Sequence, residues 1–157
     1  MKKTTIAASI AVAALLAACG GESKAPAADT AAATAAATPA AASNGWSATP
    51  LTPTGSGKVV VVNAMTDDKG LNRFDPATFE VHKGDVIRFT LEVGVHNVHF
   101  LPDSNAGKSG FPTAPTDMLQ LPGQTFDVLV DWPEGTYYFQ CDPHALLGMK
   151  GHVKVED

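Results

Sequence analysis

Residues 135–155 read GTYYFQCDPHALLGMKGHVKV, and this stretch decides the fold. Its first part alternates. Tyr137, Phe139 and Cys141 fall on one face and Tyr138 and Gln140 on the other, the period of a half-buried strand. Val153 and Val155 repeat that period at the far end. Between them, residues 142–148 have no such period, and Pro143 and Gly148 supply the chemistry of a tight turn. The stretch is therefore a strand, a short loop and a second strand.

Outward from it, the same pattern recurs. Residues 58–63 (KVVVVN) are a β-branched run. In residues 86–93, Ile87, Phe89, Leu91 and Val93 alternate with Arg88, Thr90 and Glu92. Phe126, Val128 and Val130 alternate with Asp127 and Asp131, which places the two aspartates on the solvent side. Turn sequences separate the runs at 83–85 (KGD), 121–124 (LPGQ) and 132–135 (WPEG). Several short strands punctuated this way predict an all-β sandwich. The segment 102–116, rich in Pro, Gly, Ser and Asn, reads as an excursion between the sheets with at most one helical turn.

The front of the chain has a different composition. Lys2 and Lys3 precede an apolar run at residues 6–18, too short to span a bilayer and of the length of a secretory signal. The sequence Leu16-Ala17-Ala18-Cys19 resembles a bacterial lipoprotein box. The resemblance implies that residues 1–18 are removed and that Cys19 carries the acyl chains that hold the protein to a membrane. Gly20 rather than Asp follows, which by analogy with Gram-negative sorting favours the outer membrane over the outer leaflet of the cytoplasmic membrane. From Ala25 to Ala42, 12 of 18 residues are Ala and large apolar side chains are absent. Such a segment has little to offset its ordering entropy. Residues 19–57 are thus expected to be a flexible tether, spanning roughly 30–36 Å r.m.s. as a random coil. Its only aromatic residue, Trp46, is expected to dock on the domain at 58–157.

Composition excludes several functions. With 157 residues and a formal charge of −5, the chain lacks the basic excess of a non-specific nucleic-acid binder. A mean hydropathy of +0.02 is too low for a polytopic membrane protein. Two cysteines, Cys19 and Cys141, cannot make a disulfide scaffold or a four-thiolate cluster within one chain.

Four residues stand out as a metal-ligand set of mixed softness: His96, Cys141, His144 and Met149. The last three are spaced C-x2-H-x4-M, so one tight loop aims a thiolate, an imidazole and a thioether at a point. His96 lies 45 residues before Cys141, where a strand can bring it alongside. Thiolate and thioether favour Cu(I), and imidazole accommodates both oxidation states, so the set suits one copper ion in a trigonal site with a long axial Met. Zinc, the rival for two His and one Cys, takes thioether poorly. His99, three positions from His96, falls on the opposite side of a strand. His82 and His152 lie near strand ends and are expected in solvent.

Residues 135–155, with 95–100 (VHNVHF) and 79–85 (FEVHKGD) before them, resemble the cupredoxins, closest to the plastocyanin and pseudoazurin branch with its C-x-P-H-x-x-x-G-M spacing. The resemblance covers essentially all of 58–157. It implies a Greek-key sandwich of about eight strands, a type 1 blue-copper site and an electron carrier rather than an enzyme. It implies that Asn97 pins the His96 loop to the Cys141 loop and that its backbone N–H points at the Cys141 sulfur. It also implies that Leu146 and Leu147, which fit no core period, rim the exposed edge of His144 as the electron exit. Pro143 has no N–H to offer the sulfur, which lowers the expected potential. Asp142 stands where the family often has Ser or Thr, and its carboxylate favours Cu(II). Gln140 replaces the tyrosine that marks a remote docking site in plant plastocyanins.

The expected partners are a c-type cytochrome or a terminal oxidase or reductase of the cell envelope, met by a monomeric, periplasm-facing carrier. Two other readings use the same residues differently. One is an envelope protein that buffers or delivers copper; the other is a metal-free interaction lipoprotein.

Overall fold

The computed structural model describes residues 44–157. The expectations placed on the signal at 1–18, on Cys19 and on the tether up to residue 43 lie outside the described residues. Seven strands form: β1 (Val59–Thr66), β2 (Asn72–Asp75), β3 (Thr78–His82), β4 (Val86–Val93), β5 (Thr125–Leu129), β6 (Gly135–Gln140) and β7 (Lys150–Glu156). They make two sheets, ordered β2-β1-β4-β5 and β3-β7-β6. β1 runs parallel to β4 and β3 parallel to β7, while the other ladders are antiparallel. The described residues are thus all-β as predicted, with seven regular strands among them rather than about eight. The long segment 102–116 adds only the 3-10 turn Asp103–Asn105. Its prolines lack a ladder donor, and Gly107 and Gly110 take positive φ, so no ladder propagates through it. β2 was not foreseen, because four residues are too few to show a period.

The inward side chains of both sheets meet in one core. Val62, Ala64, Phe89 and Val128 come from one sheet, and Val81, Tyr137, Phe139, Val153 and Val155 from the other; all are buried. Phe139 is its hub, with ring centroids 4.9 Å from Phe74, 5.3 Å from Phe89 and 5.5 Å from Phe100. Tilted and edge-to-face aromatic pairs of this kind add to what area burial alone supplies. The one hydroxyl in this layer, on Tyr137, donates to the Pro133 carbonyl at 2.7 Å, so its burial leaves no polar group unpaired.

The packed domain begins upstream of Lys58. Trp46 is 2% exposed, stacked on Phe100 and edge-on to Phe89, both at 5.8 Å, and its Nε1 donates to the Ala114 carbonyl at 2.9 Å. Ser47 and Asp127 exchange backbone N–H···O bonds, each 2.8 Å, so residues around Ser47 close the free edge of β5. This corrects two expectations. The tether does not extend to residue 57, because Trp46 is apolar surface that the aromatic core absorbs. Asp127 does not face solvent, because this N-terminal strap covers it. Fully buried, its carboxylate binds Arg88 in bidentate fashion (Nε at 2.9 Å, Nη2 at 2.7 Å) and accepts the Leu51 N–H at 2.8 Å. A buried charge is tolerated only when its lone pairs are used in this way.

Trp46→Ala is expected to cost about 3–5 kcal/mol of stability, the range for deleting a buried Trp. Urea unfolding followed by far-ultraviolet circular dichroism measures it. A loss below about 1 kcal/mol would contradict the placement of the strap in the core.

Candidate metal centre

The ends of β4 and β6 and the start of β7 lie at the same end of the sandwich, so two loops meet there. An isolated bridge between His99 and Gln140 fastens them, and another ties His96 to Leu119 in the segment before β5. The second loop folds as a 3-10 turn, Asp142–Leu147. The His144 N–H donates to the Cys141 carbonyl at 3.0 Å, the Met149 N–H to the His144 carbonyl at 3.1 Å, and the Cys141 N–H to the Met149 carbonyl at 3.1 Å. Gly148 ends the turn at φ +95°, a left-handed conformation that costs glycine least. Cys141 and Met149 therefore sit side by side across the loop's neck, both fully buried.

Three of the four predicted donors converge. His96 Nδ1 and His144 Nδ1 are 3.1 Å apart, Cys141 Sγ is 3.4 Å from His144 Nδ1, and Cys141 Sγ is 3.7 Å from His96 Nδ1. Three points with these separations lie on a circle of radius about 2.0 Å, close to first-row metal–nitrogen and metal–thiolate bond lengths. The donors thus fit a single ion at their centre. Met149 is buried in the same cluster as Cys141.

The ring of His96 is fixed from behind. Its Nε2 lies 3.1 Å from the Val93 carbonyl and 3.2 Å from Thr66 Oγ1. The Thr66 hydroxyl donates to Asn72 Oδ1 at 2.6 Å, so toward His96 it can only accept. Both contacts therefore require Nε2–H, which leaves the Nδ1 lone pair facing the other donors. Gly94 makes room for this. At φ +104°, a Cβ there would lie 2.7 Å from His96 Nε2 and 2.5 Å from Thr66 Oγ1. The sequence carries no signal for Thr66 or Asn72, since the chain of contacts from Asn72 through Thr66 to His96 arises from the pairing of β1 with β2.

Asn97 and Asp142 join the two loops. Asn97 Nδ2 donates to Asp142 Oδ2 at 3.0 Å, and the Asp142 N–H donates to Asn97 Oδ1 at 2.8 Å. The Asn97 backbone N–H approaches Cys141 Sγ at 3.5 Å. The Asp142 carboxylate also receives Gln140 Nε2 at 2.9 Å and His99 Nδ1 at 3.0 and 3.1 Å. His99, set apart from the site by strand spacing, therefore reaches it through a side chain. Pro143 is exposed on the loop, as are Leu146 (fully) and Leu147 (71%), and between them His144 is half-buried. His82 and His152 lie on exposed strand positions, His82 near the buried Asp85 and His152 against the Tyr138 ring.

These surroundings set the protonation balance. Burial, with the His144 charge beside it, pulls His96 below its ordinary pKa, against the Val93 carbonyl, which raises it. Burial pushes the Cys141 thiol up, opposed by the Asn97 and His144 backbone N–H groups and reinforced by the Asp142 charge. Burial also works to raise Asp142, but hydrogen bonds from Gln140, Asn97 and His99 outweigh it and keep the carboxyl below its usual range. A neutral imidazole is ready to ligate, whereas the thiol must release its proton to solvent as a metal binds.

The family described as copper binding proteins, plastocyanin/azurin family, matches residues 60–156. The plastocyanin of Vicia faba is 43% identical over 94 residues, which are 56% of this chain and 91% of that protein. The plastocyanin of Prochlorothrix hollandica is 36% identical over 93 residues, 59% of this chain and 70% of that one. Among solved structures, the oxidised form of plastocyanin from Dryopteris crassirhizoma is similar with a TM-score of 0.52 and 33% identity, covering 62% of this chain and 100% of its own. The strap around Trp46 lies outside the family match.

Thr66→Val keeps the shape of the side chain and removes the acceptor behind His96. It is expected to weaken copper binding about 10- to 100-fold, the scale for partners of metal-ligating histidines, with the melting of the metal-free protein nearly unchanged. Competition titration against a chelator measures the affinity. An unchanged affinity would show that Val93 alone orients the ring.

Proposed function

The chain belongs to the plastocyanin/azurin family of copper-binding proteins, and from that premise we propose that it carries single electrons between redox partners of the cell envelope while tethered to a membrane through Cys19. The observation that carries this reading is the tight triangle of His96, Cys141 and His144 donor atoms, buried on every side but that of His144. Copper bound there supplies one-electron exchange between its Cu(II) and Cu(I) states, and the protein is a carrier rather than an enzyme.

The residues keep the site the same in both states. Val93 and Thr66 hold His96, the turn bonds hold His144, and the Asn97 N–H holds the Cys141 sulfur. Little has to move when the charge changes. Met149, buried with Cys141 and placed just before the strand that follows the loop, would be the fourth residue to hold the ion. Asp142 and Pro143 act together on the potential: a negative charge stands beside the sulfur, and Pro143 has no N–H to offer it. Both favour Cu(II).

Leu146 and Leu147 flank the one ligand that reaches the surface. This rim is assigned the docking face, where a partner excludes water and takes the electron through His144. A c-type cytochrome or a terminal oxidase or reductase fits such an encounter, with the carrier as a monomer. The lipoprotein-like sequence at Leu16–Cys19 supports anchoring, with the outer membrane favoured by Gly20. The Ala-rich segment before Asn44 supplies the reach between the anchor and the folded domain.

Leu147→Glu should slow electron exchange with a c-type cytochrome about tenfold or more, the cost of burying an unpaired charge at an interface, with the reduction potential unaltered. Stopped-flow mixing of the copper-loaded protein with reduced cytochrome reads the rate. An unchanged rate would place docking elsewhere. In cells, Cys19→Ser should move the protein from the membrane fraction to the soluble fraction; retention in the membrane would contradict the anchor.

A further inference from the structure

Asp142 holds more hydrogen bonds than joining two loops requires. Asn97 Nδ2 and the Asp142 N–H already form a reciprocal pair with the other loop. Two further donors come from outside the ligand loops' own contact. Gln140 Nε2 reaches Oδ1 at 2.9 Å, and His99 Nδ1 lies 3.0 Å from Oδ1 and 3.1 Å from Oδ2. Gln140 is itself oriented, because its Oε1 accepts the Tyr138 hydroxyl at 2.9 Å. The backbones of His99 and Gln140 are locked by two bonds, at 2.9 and 3.0 Å. The carboxylate is thus gripped from the side of the sandwich by a row of Tyr138, Gln140 and His99.

Two things depend on that grip. The first is where the carboxylate's charge sits relative to the Cys141 sulfur, one residue away. The second is the placement of Asn97, whose side chain Asp142 holds and whose backbone N–H approaches that sulfur. A donor that keeps a carboxylate in place and shares its charge weakens the field it casts on a neighbouring thiolate.

We infer that His99 and Gln140 are positioning residues for the copper centre, acting through Asp142 to set how strongly the site prefers Cu(II) over Cu(I). This rests on the copper reading above and extends it to two side chains on a lateral surface of the domain that reach Asp142 rather than the donor atoms. Loss of the His99 donor leaves the Asp142 charge less shared and Asn97 less tightly held, and both effects favour Cu(II). Loss of the Asp142 charge favours Cu(I). His99 acts only through Asp142, so its effect vanishes when that charge is gone.

The test is a double-mutant cycle on the full copper-loaded protein, read as the Cu(I)/Cu(II) ratio at fixed ambient potential. His99→Leu is expected to lower the ratio roughly three- to tenfold, the scale of one net hydrogen bond. Asp142→Asn is expected to raise it, and His99→Leu added to Asp142→Asn to change it no further. His99→Asn, which keeps a donor near the position of Nδ1, should restore the parent ratio. Equal shifts from His99→Leu in both backgrounds, or no shift in the parent, would overturn the inference. Failure of the parent to cycle reversibly between two copper states would instead overturn the electron-carrier reading. Melting of the metal-free variants separates loss of folding from loss of positioning.

Discussion

The copper end depends on one junction, the pair of side-chain bonds between Asn97 and Asp142. His96 and Cys141 are 45 residues apart in the chain, on loops that belong to different sheets. Nothing local holds their donor atoms within a metal's reach. The junction does so together with the backbone pair of His99 and Gln140, and the same Asn97 turns its backbone N–H toward the sulfur. Each loop is then stiffened separately: His96 by Val93 and Thr66, and the Cys141–Met149 loop by its own turn bonds and Gly148. The result is a donor set whose geometry the protein fixes, so that adding or removing one electron has little to rearrange.

The rest of the sandwich serves that junction by refusing to deform. The aromatic hub at Phe139 lies two residues before Cys141 on the same inward face, so the strand that delivers the thiolate is packed from Phe74, Phe89 and Phe100. The strap that brings in Trp46 extends this layer and closes an open sheet edge. It also covers Asp127, whose buried pairing with Arg88 would be costly without the Leu51 N–H. The strap lies before residue 60, where the family match begins, at the point where an Ala-rich segment joins a folded domain.

Much of this was legible in the sequence, for physical reasons. β-branched and aromatic residues at period two marked β1, β4, β6 and β7, because those strands have one face on the core. The C-x2-H-x4-M spacing marked the ligand loop, because one short turn must aim all three donors. What escaped notice was decided by contacts between distant segments. Asp127 reads as solvent-facing by period and is buried because another segment lies over it. Trp46 reads as a docking residue, but the polar, small-residue sequence around it hides that Ser47 beside it pairs with Asp127 of β5. Thr66 and Asn72 stand behind His96 only because β1 and β2 pair, and β2 is too short to announce itself. His99 was read by its backbone position, yet it acts through the reach of its side chain.

Everything above turns on Cys141, His96 and His144 holding copper as a thiolate site able to pass one electron. The most direct test is the visible absorption of the Cu(II)-loaded protein beside its Cys141→Ser variant. The parent should show an intense blue thiolate-to-copper band that ascorbate bleaches and that the variant lacks. A colourless or weakly coloured protein whose copper a mild chelator removes, with the variant indistinguishable from the parent, would contradict it.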